Sequence, residues 1–237
     1  AQDFSAFQIY VLRKIIKDSS FTILGDLCQG IHSYRGVHSW EDIRENVFEE
    51  RDCEILMLEK SYRTTVEIMG AANRVLDHLQ QKNIPKGQPV IRHGDQVKIL
   101  QQKDHQGMIQ KVKEILRAEM GQQFKSAAVI CKTLGECRKV YDAISKDIRD
   151  IHMITGKEDE YKSGLVIVPS YLSKGLEFDI VILSNANSTY YQENELDTKL
   201  LYVSMTRPLH KLFILHQGEL SPLLNEVKEV IQAELPE

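Results

Sequence analysis

The sequence is short of positive charge, of cysteine and of long apolar runs, and each shortage excludes something. No apolar stretch approaches the ~20 residues a helix needs to cross a bilayer, and no signal-peptide pattern opens the chain. The expected compartment is the cytoplasm, with no membrane partner. The four cysteines, Cys28, Cys53, Cys131 and Cys137, form no C-x-x-C pair and have no histidine at ligand spacing, which argues against a zinc site or a disulfide framework. They are expected to be reduced and structural, and no residue is assigned to a metal. Lys and Arg number 30 against 34 Asp and Glu, a net charge of −4, so the chain as a whole is not expected to grip nucleic-acid phosphates tightly. A phosphate-cradling G-x-x-x-x-G-K-[ST] loop is absent too. The nearest stretch, Thr155-Gly156-Lys157-Glu158, has no glycine at position 151 and no hydroxyl after its lysine. There are no internal repeats or low-complexity tracts.

What is present is enough apolar material, 42% of 237 residues, for one good-sized core or two modest ones. Phe4, Phe7, Val11 and Ile15 have the spacing of one helical face, and a strand at Phe21 to Leu24 follows. The charged stretch from Glu41 to Asp52 reads as a solvated helix face and marks a domain boundary before a strand at Ile55 to Leu58. A helix through Asn73 runs toward Gln81 and is broken by Pro85, Gly87 and Pro89. Strands at Val97 to Leu100, Ala127 to Cys131, Leu165 to Val168, Ile180 to Leu183 and Leu212 to Leu215 follow. They alternate with helices marked by Met108, Val112, Ile115 and Leu116, by Cys137, Val140, Tyr141, Ile144 and Ile148, and around Leu200 and Leu223. This alternation predicts an α/β fold, a mostly parallel sheet with helices on both faces.

The densest concentration of chemistry-bearing side chains is Gly25-Asp26-Leu27-Cys28-Gln29-Gly30-Ile31-His32-Ser33-Tyr34-Arg35-Gly36, directly after an apolar run. An acid, an amide, an aromatic and an arginine at a strand's C-terminal end can sense phosphate and stack a base. An ordinary polar loop with a capping Asp explains the same residues. Three further segments break the tie. Leu58-Glu59-Lys60-Ser61-Tyr62-Arg63-Thr64-Thr65 puts an aromatic-arginine pair at the mouth of a helix. Ser173-Lys174-Gly175-Leu176-Glu177-Phe178-Asp179 precedes a strand, and Leu200-Leu201-Tyr202-Val203-Ser204-Met205-Thr206-Arg207 follows it.

In this order the four segments resemble motifs III, IV, V and VI of the UvrD/Rep-like superfamily 1 helicases. Ala1-Gln2-Asp3 is similar to the last three residues of that family's Asp-Glu-Ala-Gln-Asp box. The resemblance implies that residues 46–237 form the second RecA-like motor domain and residues 1–45 the C-terminal tail of the first. It implies ATP and Mg2+ as cofactors, with the catalytic glutamate and most Mg ligands lying before Ala1, so that the chain alone should not hydrolyse ATP.

The resemblance also assigns roles. Arg63 and Arg207 would reach the γ-phosphate when the cleft closes, as phosphoryl transfer requires of a cation brought in from a neighbouring domain. Gln29 would contact the same phosphate, Tyr62 would stack on adenine, Glu177 would meet the ribose, Gly175 would permit close backbone approach, and Gln2 would belong to the nucleotide site. Tyr34 would stack on a DNA base. Plainer roles compete with these: arginines in surface salt bridges of little worth, Tyr62 and Tyr34 as core tyrosines, and Gln29 as a loop amide.

The partners implied are single-stranded or partly duplex DNA and the N-terminal RecA-like domain of the same parent chain, with 3′-to-5′ polarity. Three residues depart from the family pattern: Pro169 and Tyr171 stand where better-known members have Thr and His, and Lys199 replaces part of an arginine pair. Only 97 residues lie between Asn73 and Tyr171, too few for the helical subdomain inserted there in better-known members. That shortness resembles the helicase IV and RNA-polymerase-associated branch. It brings in RNA polymerase as a second possible partner, and with it a remodelling factor that releases polymerase from nucleic acid. A RecA-like domain without activity is the third reading, opposed by the presence of both arginines.

Overall fold

The computed structural model describes residues 1, 3–16, 20–31, 37, 39–48, 53–58, 60–79, 86–121, 123–158 and 163–233. Side-chain caps set most helix starts. Ser5 and Gln8 form a capping box on α1 (Ala6–Ile15), and Ser39 caps α2 (Trp40–Asn46). A short β1 (Lys60–Ser61) leads into α3 (Val66–Leu76), capped by Thr65, and pairs in parallel with β2 (Gln88–Pro89). After β3 (Lys98–Gln102), Asp104 caps α4 (His105–Glu119). Next come β4 (Ala127–Cys131) and α5 (Leu134–Ile144), the latter opened by a Thr133/Glu136 capping box. Then follow β5 (Ile151–Met153), β6 (Leu165–Pro169), β7 (Phe178–Leu183), α6 (Glu195–Met205), β8 (Pro208–Gln217) and α7 (Asn225–Ala233).

The main sheet has six strands in the order β3-β8-β7-β4-β6-β5, and every neighbouring pair is parallel. Successive side chains on a strand point to opposite faces, and the two faces carry separate cores. Ala128, Ile130, Val166, Val168, Val181 and Leu183 pack with α3, α6 and α7. Ala127, Val129, Cys131, Ile167, Ile180 and Ile182 pack with α4 and α5. Burial on both faces is why these strands are continuous apolar runs. A third, smaller cluster joins Ile9, Val37, Ile43 and Val47 near the N-terminus. Among the described residues no helix is long and apolar enough to cross a membrane.

Several expectations need correction. Neither Phe21 to Leu24 nor Ile55 to Leu58 forms a strand, because neither has a ladder partner among the described residues; Leu58 is 90% exposed. The face of α1 marked by Phe7 and Ile15 points outward, and Ile9 is the side chain that α1 buries. The helix through Asn73 ends at Leu76 rather than near Gln81. β5 was not anticipated. Thr155-Gly156-Lys157-Glu158 is closed on itself: the N–H groups of Thr155 and Gly156 and the Thr155 hydroxyl all donate to the Glu158 carboxylate at 2.6–2.8 Å. These bonds, led by the Thr155 hydroxyl, lower the Glu158 pKa to about 2. The amides that a phosphate loop would aim at an anion are taken by a side chain of the same turn.

Candidate functional site

The site grows from the end of α6. Ser204 and Thr206 turn their hydroxyls back onto the carbonyls of Leu200, Tyr202 and Val203, and Pro208 cannot continue a helix. The chain therefore leaves α6 at Arg207 and enters β8 directly. Arg207 is fully buried. Its Nε donates to the Val203 carbonyl at 2.8 Å, Nη1 to the Leu176 carbonyl at 3.4 Å, and Nη2 to Thr206 Oγ1 at 3.1 Å and Gln29 Oε1 at 3.2 Å. All four acceptors are neutral. Burial, followed by the nearby Arg63 charge, lowers the Arg207 pKa to about 10 against the opposing pull of Glu177, Tyr202 and Asp26, so the group stays charged at neutral pH.

Gln29 arrives from the opposite side. Asp26 caps a single 3-10 turn, Leu27–Gln29, accepting the Cys28 N–H at 2.9 Å on one oxygen and Gln29 Nε2 at 2.7 Å on the other. With its amide nitrogen held, Gln29 presents its oxygen to Arg207. Cys28 and Ile31 share the core of α3, α6 and α7, which seats the turn against that layer. Asp26 thus shapes the loop.

Arg63 lies between β1 and α3. Thr64 and Thr65 are buried there while Tyr62 is 71% exposed, so the backbone turns Tyr62 outward, away from any core. Arg63 Nε meets Glu177 Oε1 at 2.5 Å, the two side chains 40% and 42% exposed. Glu177 is the residue before β7, as Arg207 is the residue before β8. The arginines and the glutamate therefore gather at the N-terminal edge of the parallel strands. Two residues earlier, Gly175 adopts φ +82°, and a Cβ built on it would meet nothing within 4 Å. The present fold needs glycine there for its dihedral, not for space. Gly175→Ala is expected to cost about 1–2 kcal/mol, the left-handed penalty alone, read as a lower urea midpoint with an unchanged slope. Lys174 pairs with Asp3 at 2.6 Å, tying the N-terminal segment to the same loop.

The structure thus brings together Gln29, Arg63, Glu177 and Arg207, with Tyr62 and Gly175 alongside. Gln2 and Tyr34 lie outside the described residues. Of the departures, Lys199 is buried and paired with Glu195 at 2.7 Å, Pro169 ends β6, and Tyr171 stands 40% exposed on the turn that follows. Asp197 was missed: it is buried, accepts from Gln192 N and Asn194 Nδ2, and pairs with Lys132 at 2.6 Å. The Asn194-x-x-Asp197 spacing, a cap answered from the first helical turn, was its available signal. Two guanidiniums and an amide suit a polyphosphate. No group of three or more potential metal ligands occurs among the described residues.

An all-parallel α/β sheet sandwiched between helices, with arginines converging at its edge, defines a RecA-like domain. Residues 56–162 match one family model described as the UvrD-like helicase C-terminal domain, and residues 164–215 match a second of the same description. The crystal structure of the C-terminal domain of a possible DNA helicase from Lactobacillus plantarum WCFS1 superposes with a TM-score of 0.60 at 30% identity, covering 72% of this chain and 96% of that one. The ATP-dependent DNA helicase PcrA of Staphylococcus epidermidis is 26% identical over 173 residues, and that of Leuconostoc citreum 23% over 160. These matches take in 69% and 66% of this chain but 23% and 21% of the relatives, so the chain spans between a fifth and a quarter of their length. The chain belongs to the UvrD-like helicase C-terminal domain family.

Proposed function

We propose that this chain is the second motor domain of an ATP-dependent DNA helicase or translocase, contributing Arg63, Arg207, Gln29, Tyr62, Glu177 and Gly175 to a nucleotide site shared with an N-terminal RecA-like domain. The observation that carries this reading is Arg207, a fully buried cation held by four neutral acceptors, one of them Gln29 from the N-terminal segment. A buried charge whose direct hydrogen-bond partners are all neutral is costly, and an incoming phosphate would give it a direct anionic partner. We place the domain boundary at residues 45 and 46. The outward-facing Leu56 and Leu58 are apolar surface of the second domain that the partner domain would cover, while Phe7 and Ile15, in the first-domain tail, would pack on the rest of that domain.

ATP is the nucleotide, and Mg2+ would be held mainly by that partner domain, together with the phosphate loop and general base. The 237-residue chain by itself is inactive in hydrolysis, since it contains no G-x-x-x-x-G-K-[ST] loop. Single-stranded or partly duplex DNA is the track, with Gln2 at the nucleotide and Tyr34 at the strand.

The test is Tyr62→Ala in the full-length protein. Stacking of a base on an aromatic ring is worth about 1–3 kcal/mol, so ATP affinity should drop roughly ten- to a hundredfold while the melting temperature stays put, because the ring is exposed. Unchanged ATP affinity would sink the adenine-stacking role.

A second reading is favoured by one observation: β2 to β6 with α4 and α5 occupy the stretch between Asn73 and Tyr171, leaving no room for a large helical insertion. On this reading the motor belongs with the helicase IV and RNA-polymerase-associated branch and releases RNA polymerase from nucleic acid. Strand-separation and polymerase-release assays run side by side distinguish the two.

A further inference from the structure

The N-terminal segment reaches the edge where the arginines gather through Gln29, on Arg207, and again through Asp3. The second contact is made to a tight turn, Ser173-Lys174-Gly175-Leu176, closed by the Leu176 N–H donating to the Ser173 carbonyl at 3.1 Å. Gly175 at its third position, with φ +82°, has the dihedral that a type II turn requires there. Lys174 is thereby held at the second position, and its Nζ donates to both oxygens of the Asp3 carboxylate, at 2.6 and 2.8 Å. The last residue of the turn gives its carbonyl to Arg207 Nη1, and the next one, Glu177, meets Arg63. Four residues thus carry a charged tie to the N-terminal segment and, at their far end, a direct contact with the buried guanidinium. An ion pair between partly exposed side chains adds little to stability, and Lys174 and Asp3 are 20% and 43% exposed, so the effect of this one lies in placement. We propose that Asp3 and Lys174 are a positioning pair, which sets the Ser173-to-Leu176 turn, and through the Leu176 carbonyl the Arg207 guanidinium, against the N-terminal segment. This inference rests on the motor-domain reading above, in which the cleft lies between those two parts.

The experiment combines steady-state ATP hydrolysis with amide hydrogen exchange on the full-length protein. Lys174→Ala and Asp3→Ala are each expected to lower kcat about two- to fivefold, the range of a partly exposed ion pair, with KM for ATP and the urea midpoint unchanged. The double alanine variant should lose no more than either single one, because the second change finds nothing left to break. In nucleotide-free protein the Leu176 amide should exchange faster in both single variants, since its turn has lost its outer tie. Losses that multiply in the double variant overturn the proposal. So does full kcat in both single variants, a urea midpoint that falls in step with kcat, or a Leu176 amide that keeps its wild-type exchange rate in both; each of these leaves the motor reading standing. A full-length wild-type protein that does not hydrolyse ATP overturns the motor reading and this inference with it.

Discussion

Arg207→Ala in the full-length protein is expected to reduce kcat by ~10³-fold or more, with a much smaller change in ATP affinity, because an arginine brought to a transferring phosphoryl group acts on charge that develops in the transition state. Arg63→Ala should follow the same pattern. Arg207→Lys should not rescue: the guanidinium makes four separate contacts, to Val203, Leu176, Thr206 and Gln29, that one ammonium cannot reproduce. Gln29→Ala, which removes one acceptor and leaves the arginine in place, should be milder. Single-turnover hydrolysis with trapped nucleotide separates rate from binding. Full kcat in both arginine variants would remove these residues from the reaction.

The largest stability loss is expected at Asp197. Its carboxylate pairs with Lys132, accepts Gln192 N at 2.8 Å and Asn194 Nδ2 at 3.0 Å, and is almost fully enclosed. Asp197→Ala leaves the Lys132 ammonium without its counter-charge beside the Tyr191 ring and the Tyr190 carbonyl. Breaking one side of a buried pair typically costs about 3–5 kcal/mol. Asp197→Asn, which keeps an acceptor for the two N–H donors, should fall between wild type and Ala. Urea unfolding followed by circular dichroism is the measurement. A midpoint within error of wild type for Asp197→Ala would show that Lys132 finds solvent instead.

How much of this was legible in the sequence varied with the kind of physics involved. The central strands could be read because burial on both faces leaves Ala127 to Cys131 and Ile180 to Leu183 with no polar alternation to confuse them. α5 could be read because its face recurs at helical spacing. Phe21 to Leu24 and Ile55 to Leu58 have the composition of strands, but a strand also needs a neighbour to bond with, and composition does not reveal whether one is near. The same limit applies to α1, where helical spacing is real but points outward. β5 has three residues, too few for a period to show.

In the site, the motif order picked out Arg63, Glu177 and Arg207 one by one. That Arg63 touches Glu177, and that Gln29 reaches Arg207, are relations between residues 114 and 178 positions apart, which only the folded chain displays. The positive φ at Gly175 is a second demand on that residue, which the folded chain displays and the motif does not.

α6 carries Asp197 in its first turn, gripping Lys132 just past the C-terminal end of β4, and is followed within two residues by Arg207, which directly precedes β8 at the opposite end of the strands. Its 11 residues make a rod about 16 Å long at 1.5 Å per residue, with fastenings at both ends and no flexible joint between them. The carbonyl of Arg207 also takes the Phe178 N–H at 3.1 Å, so the rod's lower end is bolted to the first rung of the central ladder. Lys132 and Tyr190 at one end of the rod are thereby joined to the guanidinium at the other through continuous helix.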